Sequence, residues 1–140
     1  MSDAPRPRPL SPHLMTGGIG SPLLWRWHIT MATSIFHRAS IFGLYLSALL
    51  LAGWLLALAG GPQSYGAYTA ALGSPLGLLV LFALTFMLFF NLAYNVRQAF
   101  WDMGKGFKIA EANAGSIAII AFAVATTLAF WAALFILGVL

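Results

Sequence analysis

Leu76-Gly77-Leu78-Leu79-Val80-Leu81-Phe82-Ala83-Leu84-Thr85-Phe86-Met87-Leu88-Phe89-Phe90-Asn91-Leu92-Ala93-Tyr94 runs without one charged side chain. A helix needs about 20 predominantly apolar residues to cross the hydrocarbon core of a bilayer. Residues 41–59 and 117–140 form two further runs of this kind. The expected fold is therefore an all-α membrane protein with three transmembrane helices, over about 29–59, 75–103 and 115–140. Composition agrees, with 61% of the 140 residues hydrophobic and 7% charged, where soluble domains carry roughly 25% charged residues. Mean hydropathy is +0.88.

The flanks of these runs orient them. Arg6, Arg8, Arg26 and Arg38 precede the first run, while Arg97, Lys105 and Lys108 follow the second. Between the first two runs, Gly60-Gly61-Pro62-Gln63-Ser64-Tyr65-Gly66-Ala67-Tyr68 carries no charge and reads as a connection of turn formers and interfacial aromatics. All seven basic residues then fall on one side, which the positive-inside rule makes cytoplasmic. The expected topology is multi-pass, with the N-terminus cytoplasmic and the C-terminus across the membrane, which in a bacterial cytoplasmic (inner) membrane is the periplasm. The net charge of +4 thus reflects membrane topology, and nucleic-acid binding is excluded as a function class.

Residues 1–28 are expected to form an extended cytoplasmic arm and interfacial segment. Between Ala4 and Leu14, prolines at positions 5, 7, 9 and 12 forbid a helix. Trp25-Arg26-Trp27-His28 has the character of a headgroup-level anchor. The arm is expected to be retained, because a signal-peptide core would begin far earlier than the first long apolar run. With no cysteine, the chain can hold neither a disulfide nor a thiolate-ligated iron–sulfur cluster. It shows no carboxylate pair, no nucleophile with a base, no metal-ligand cluster and no phosphate-cradling loop. Alone it is expected to be non-catalytic.

Two polar constellations interrupt the apolar pattern. In Ser34-Ile35-Phe36-His37-Arg38-Ala39-Ser40, Ser34, His37 and Arg38 stand at i, i+3 and i+4, on one helical face at the mouth of the first helix. Ionisable groups there are costly and mark a site or a headgroup anchor. A hydroxyl, an imidazole and a guanidinium could hydrogen-bond the carbonyl of a polar ligand whose greasy body lies along the helix, and a quinone fits that description. In the second constellation Asn91, Asn95 and Gln98 recur at i, i+4 and i+7, with Asp102 one turn on, a polar stripe suited to facing other helices. Arg97 and Asp102, at i and i+5, are poorly placed for a helical pair, and each is expected to meet the backbone or another subunit.

Taken together, Arg8-Pro9-Leu10-Ser11-Pro12-His13-Leu14, the Ser34 to Ser40 segment, Arg97 and the following Trp101-Asp102-Met103-Gly104, and the three-helix layout resemble the cytochrome b556 subunit family of succinate dehydrogenase. The resemblance covers nearly the whole chain. It implies a two-subunit membrane-anchor helix bundle, formed with a second small membrane-anchor subunit, that binds a flavoprotein subunit carrying FAD and an iron–sulfur subunit carrying the clusters. It also implies a role in the tricarboxylic acid cycle and respiratory electron transport, with ubiquinone reduced where the iron–sulfur subunit meets the anchors. The family's quinone-binding serine and arginine map to Ser34 and Arg38, and its histidine near the haem propionates or quinone maps to His37.

The departures fall on the haem b that the family leads one to expect. The axial-ligand position on the second helix is Asn91, the family's second histidine there is Gln98, and two glycine positions are Asn95 and Ile41. A carboxamide lacks the imidazole lone pair that ligates haem iron, so the expectation is a haem held by the partner alone, held by His37, or absent. Alternatives of other kinds are a fumarate reductase anchor, which quinone type would separate, and an unrelated three-helix structural or transport subunit. Copurification with large flavin and iron–sulfur subunits discriminates against the last. The charge asymmetry makes a first prediction: a reporter fused after Leu140 behaves as periplasmic. Cytoplasmic activity of the fusion, with the protein assembled, contradicts the three-helix topology.

Overall fold

The computed structural model describes residues 14–15, 24–25 and 28–138. The expected extended arm lies outside these residues except for two short strands, β1 (Leu14–Met15) and β2 (Leu24–Trp25), which pair antiparallel with Leu14 opposite Trp25. The rest of the described chain is helical and the architecture is that of an all-α membrane protein.

Helix α1 spans Ile29–Ala59 and starts from an extended His28. Its 31 residues, at 1.5 Å per residue, run about 46 Å, well beyond the ~30 Å hydrocarbon core. Ser34, His37 and Arg38 lie within its first three turns. Gly60 caps α1, its N–H donating to Leu56 O at 2.9 Å, and Gly61 at φ 94° turns the chain through a conformation that glycine adopts freely.

Beyond Gly61 the chain departs from the expected connection, because Pro62–Leu72 form a helix, α2. Pro62 occupies the first helical turn, where its missing N–H costs nothing and its fixed φ starts the helix. Eleven residues are too short to span a bilayer, and α2 instead lies on α1. Tyr68 Oη donates to Leu50 O at 2.7 Å, and Trp54 meets Tyr65 edge-on with ring centroids 6.3 Å apart. Ser74 then caps α3 (Pro75–Asp102), its Oγ accepting from Gly77 N at 3.1 Å, with Pro75 again at the helix start.

The end of α3 is a Schellman turn. Lys105 N donates to Phe100 O at 3.0 Å, Gly104 N donates to Trp101 O at 2.8 Å, and Gly104 takes φ 76°. Helix α4 (Ile109–Ile136) starts six residues earlier than the expected 115. Its first turn, Ile109-Ala110-Glu111-Ala112, carries the acidic Glu111 and falls outside the apolar run. Glu111 favours that turn through the helix dipole and meets Lys108 at 3.5 Å. Among the described residues, helices α1, α3 and α4 are the three long and apolar enough to cross a membrane.

These three helices pack around Phe90, Tyr94, Ile119 and Ala123, with Phe36, Phe86, Phe89 and Ala93 against them. Otherwise the buried positions are mostly small or polar: Thr33, Ser40 and Gly43 on α1, Ser116 and Thr127 on α4. Large apolar side chains such as Phe42, Leu49, Leu56, Leu79 and Phe135 point outward. This is the distribution of a bundle in lipid, where small residues let helices approach and burial of apolar area no longer drives association. At Gly43 an added Cβ would collide with Met87 Sδ of α3, whereas one at Gly66 of α2 would meet nothing. Gly43→Leu is therefore expected to weaken the α1–α3 packing by about 1–3 kcal/mol, while Gly66→Ala is neutral or stabilising. Reversible unfolding in mixed micelles measures both; equal stability of the two variants contradicts this packing.

Candidate functional site

The start of α1, the end of α3 and the start of α4 meet at one end of the bundle, and many of the polar side chains gather there. Arg97 is buried to 8% exposure although it belongs to a membrane-spanning helix. Its guanidinium carbon lies 4.4 Å from the Tyr94 ring centroid and 4.5 Å from that of Trp101. The three residues stand at i, i+3 and i+7, so one helical face places a cation between two aromatic neighbours. Arg97 Nη1 donates to Ser116 Oγ of α4 at 2.7 Å, while Nε and Nη2 are buried without a hydrogen-bond partner. The aromatic rings compensate the charge that those two donors leave unmet, and a desolvated cation–π contact contributes on the order of 2 kcal/mol.

Ser116 is the junction of the three helices. Its Oγ accepts from Arg97 of α3 and donates to Ala112 O at 2.9 Å, and it lies 3.3 Å from Thr33 Oγ1 of α1, whose single proton also has Thr30 O at 3.0 Å. Gly115 beside it leaves room for the arginine stem, since a Cβ there would sit 3.3 Å from Arg97 Cδ. Trp101 is held in turn by its Nε1, which donates to Gly106 O at 3.1 Å.

Further along α3, toward the bundle interior, lies a second polar group. Asn91 Nδ2 donates to Ser40 Oγ of α1 at 3.2 Å, and its Oδ1 accepts from Asn95 Nδ2 at 2.7 Å. Ser40 Oγ donates its own proton to His37 O at 2.7 Å. His37 stacks on Tyr94, with ring centroids 3.8 Å apart and planes 10° apart, and its Nε2 is buried with no hydrogen-bond partner.

The residues singled out by sequence pattern thus divide. Ser34 is half-buried and Arg38 exposed, and neither hydrogen-bonds to another described residue. Their hydroxyl and guanidinium are open donors at the charged mouth of the bundle. His37 shares their face by spacing but is engaged by Tyr94 of α3. Within the polar stripe of α3, Asn91 does face α1, whereas Asn95 and Gln98 are exposed. Asp102 pairs with Gln98 Nε2 at 3.2 Å, and Arg97 finds its partner within its own chain on α4. Thr33 and Ser116 were invisible to spacing arguments, because each acquires meaning only from a residue on another helix.

Residues 4–130 match the family model described as succinate dehydrogenase/fumarate reductase transmembrane subunit. The mitochondrial succinate dehydrogenase cytochrome b560 subunit of Mus musculus is 32% identical over 84% of this chain and 66% of its own length. The succinate dehydrogenase cytochrome b556 subunit of Paracoccus denitrificans is 31% identical over 81% of this chain and 82% of its own. That of Rickettsia felis is 27% identical over 89% and 90%. The family match reaches into all three membrane helices, and with these relatives it leads to one conclusion: the chain belongs to the succinate dehydrogenase/fumarate reductase transmembrane subunit family, as a membrane-anchor subunit of the succinate dehydrogenase kind.

Proposed function

We propose that this chain, together with a second small membrane-anchor subunit, seats a flavoprotein and an iron–sulfur subunit on the cytoplasmic face of a bacterial inner membrane and completes a ubiquinone site with Ser34 and Arg38. The observation that carries this reading is the pair of donors left open at the mouth of α1, on the end of the bundle that also bears Arg97, Lys105 and Lys108. A half-buried hydroxyl and a free guanidinium four residues apart can both reach one quinone carbonyl. The guanidinium also stabilises the negative charge that develops on that oxygen during reduction, which a neutral donor does less well. Succinate oxidation, FAD and the iron–sulfur clusters belong, on this reading, to the partner subunits. The N-terminus then lies in the cytoplasm and Leu140 across the membrane, following the basic residues.

The relatives are named cytochrome b subunits, which raises haem b for this chain. Its residues do not fit an axial ligand from α3. Asn91 and Gln98 stand at the two family histidine positions, and the Asn91 carboxamide is engaged by Ser40 and Asn95. Of the two described histidines, His28 has its Nδ1 2.8 Å from Thr30 Oγ1 and His37 has its Nε2 enclosed by protein. Nothing in the quinone chemistry proposed for Ser34 and Arg38 requires a haem ligand from this chain.

The test separates quinone chemistry from flavin chemistry. In the assembled complex, Ser34→Ala and Arg38→Leu are each expected to lower succinate:quinone activity by about tenfold to a hundredfold, the worth of a hydrogen bond to a charged or partly charged group. Electron transfer from succinate to a soluble dye, which bypasses the anchors, stays unchanged. Variants that assemble and reduce quinone normally would reduce Ser34 and Arg38 to headgroup anchors.

A further inference from the structure

We infer that Ser40, Asn91 and Asn95 form a hydrogen-bonded ladder that locks α1 to α3 at the level where the family's axial histidine would stand, so that α3 presents no ligand to haem and the helix pair is held by protein groups alone. This rests on the anchor reading, since it concerns how the anchor is held together.

The ladder is directional. Asn95 Nδ2 donates to Asn91 Oδ1, Asn91 Nδ2 donates to Ser40 Oγ, and Ser40 Oγ donates to the His37 carbonyl. Asn91 is buried to 7% exposure and Ser40 to 0%, so both polar groups are withdrawn from lipid, and each has hydrogen-bond partners. An apolar medium offers no replacement partner, which favours keeping such a pair together. Contacts on either side of the ladder close the α1–α3 interface. His37 stacks on Tyr94, Phe36 meets Phe90 edge-on at 4.7 Å, and Gly43 lies against Met87.

A side chain that ligates a group shared with a second subunit must carry its donor atom to the outside of its own chain. Position 91 does the opposite, for its side chain turns inward to α1. The residue that reaches the outer surface is Asn95, one turn away, and it ends the ladder in an exposed carboxamide suited to hydrogen-bonding a partner helix. A carboxamide is therefore not a degraded ligand here. It has a different task, which an imidazole in the same place, with its larger ring against Ser40, would not perform.

The experiment uses the purified complex and two readouts, its resistance to dissociation in a detergent titration and its haem-to-flavin ratio from reduced-minus-oxidised spectra and flavin content. Asn91→Leu and Ser40→Ala are each expected to shift the dissociation equilibrium by roughly threefold to tenfold, the range that interhelical hydrogen bonds give in membranes. The double variant should lose no more than Asn91→Leu alone, because one bond is being removed twice. The haem-to-flavin ratio of the assembled fraction stays unchanged in all three, and Asn91→His does not raise it. A gain of haem in Asn91→His, or loss of haem from Asn91→Leu with resistance intact, overturns the inference. So does wild-type resistance in both Asn91→Leu and Ser40→Ala. Failure of the chain to copurify with any flavoprotein would instead remove the anchor reading, and unfolding of the extracted chain in a denaturing-detergent titration would still judge the ladder.

Discussion

A buried guanidinium organises the charged end of this bundle. Arg97 cannot remain in the interior of a membrane protein unless its charge is met, and the chain meets it without a carboxylate: Tyr94 and Trp101 offer ring faces, and Ser116 a hydroxyl oxygen. Because Ser116 also lies 3.3 Å from Thr33 Oγ1, this single cation sits at the point where α1, α3 and α4 converge. Tyr94 then serves a second contact, the stacked ring of His37, and so couples the arginine to the α1 face that carries Ser34 and Arg38. The open donors at the mouth are thereby mounted on a helix held by buried polar contacts instead of on a loop. That is what a site needing fixed hydrogen-bond geometry requires.

The interior and exterior of the molecule follow from the solvent. Serine, threonine, glycine and alanine line much of the helix contacts, while leucine and phenylalanine cover the outside. Close approach at small residues and a few interhelical hydrogen bonds replace the apolar burial that would drive a soluble bundle. The same constraint explains why the described charged residues are confined to one end. A buried polar group must find a partner within the bundle, and the turns near the headgroups are where an unpaired group such as Arg38 is tolerated.

Much of the fold was legible in the sequence because hydropathy and charge asymmetry report directly on the solvent each segment meets. Two elements were not. Gly60, Gly61 and Pro62 look like turn residues, and they do make a turn, but Pro62 then starts α2, and no apolar period marks so short an uncharged helix. The start of α4 was hidden because its first turn lies outside the apolar run, though Glu111 after Lys108 was a helix-start signal. Of the site, Tyr94, Arg97 and Trp101 could have been grouped by their i, i+3, i+7 spacing, and the Asn91–Asn95 pair by i, i+4. Ser116 and Ser40 could not, for each is defined by a residue on another helix. His37 shares a face with Ser34 and Arg38 by spacing, yet its partner Tyr94 comes from α3, and only the packed structure shows that its ring stacks there with Nε2 buried.

On this account the end of the bundle bearing Ser34 and Arg38 is the one on which the electron-delivering partner sits. A photo-crosslinking amino acid introduced at position 38 of α1, and separately at position 63 at the opposite end, tests it in the intact complex. Illumination is expected to join position 38 to the iron–sulfur subunit and to leave position 63 without that product. A crosslink to the iron–sulfur subunit from position 63, with none from position 38, would contradict the account.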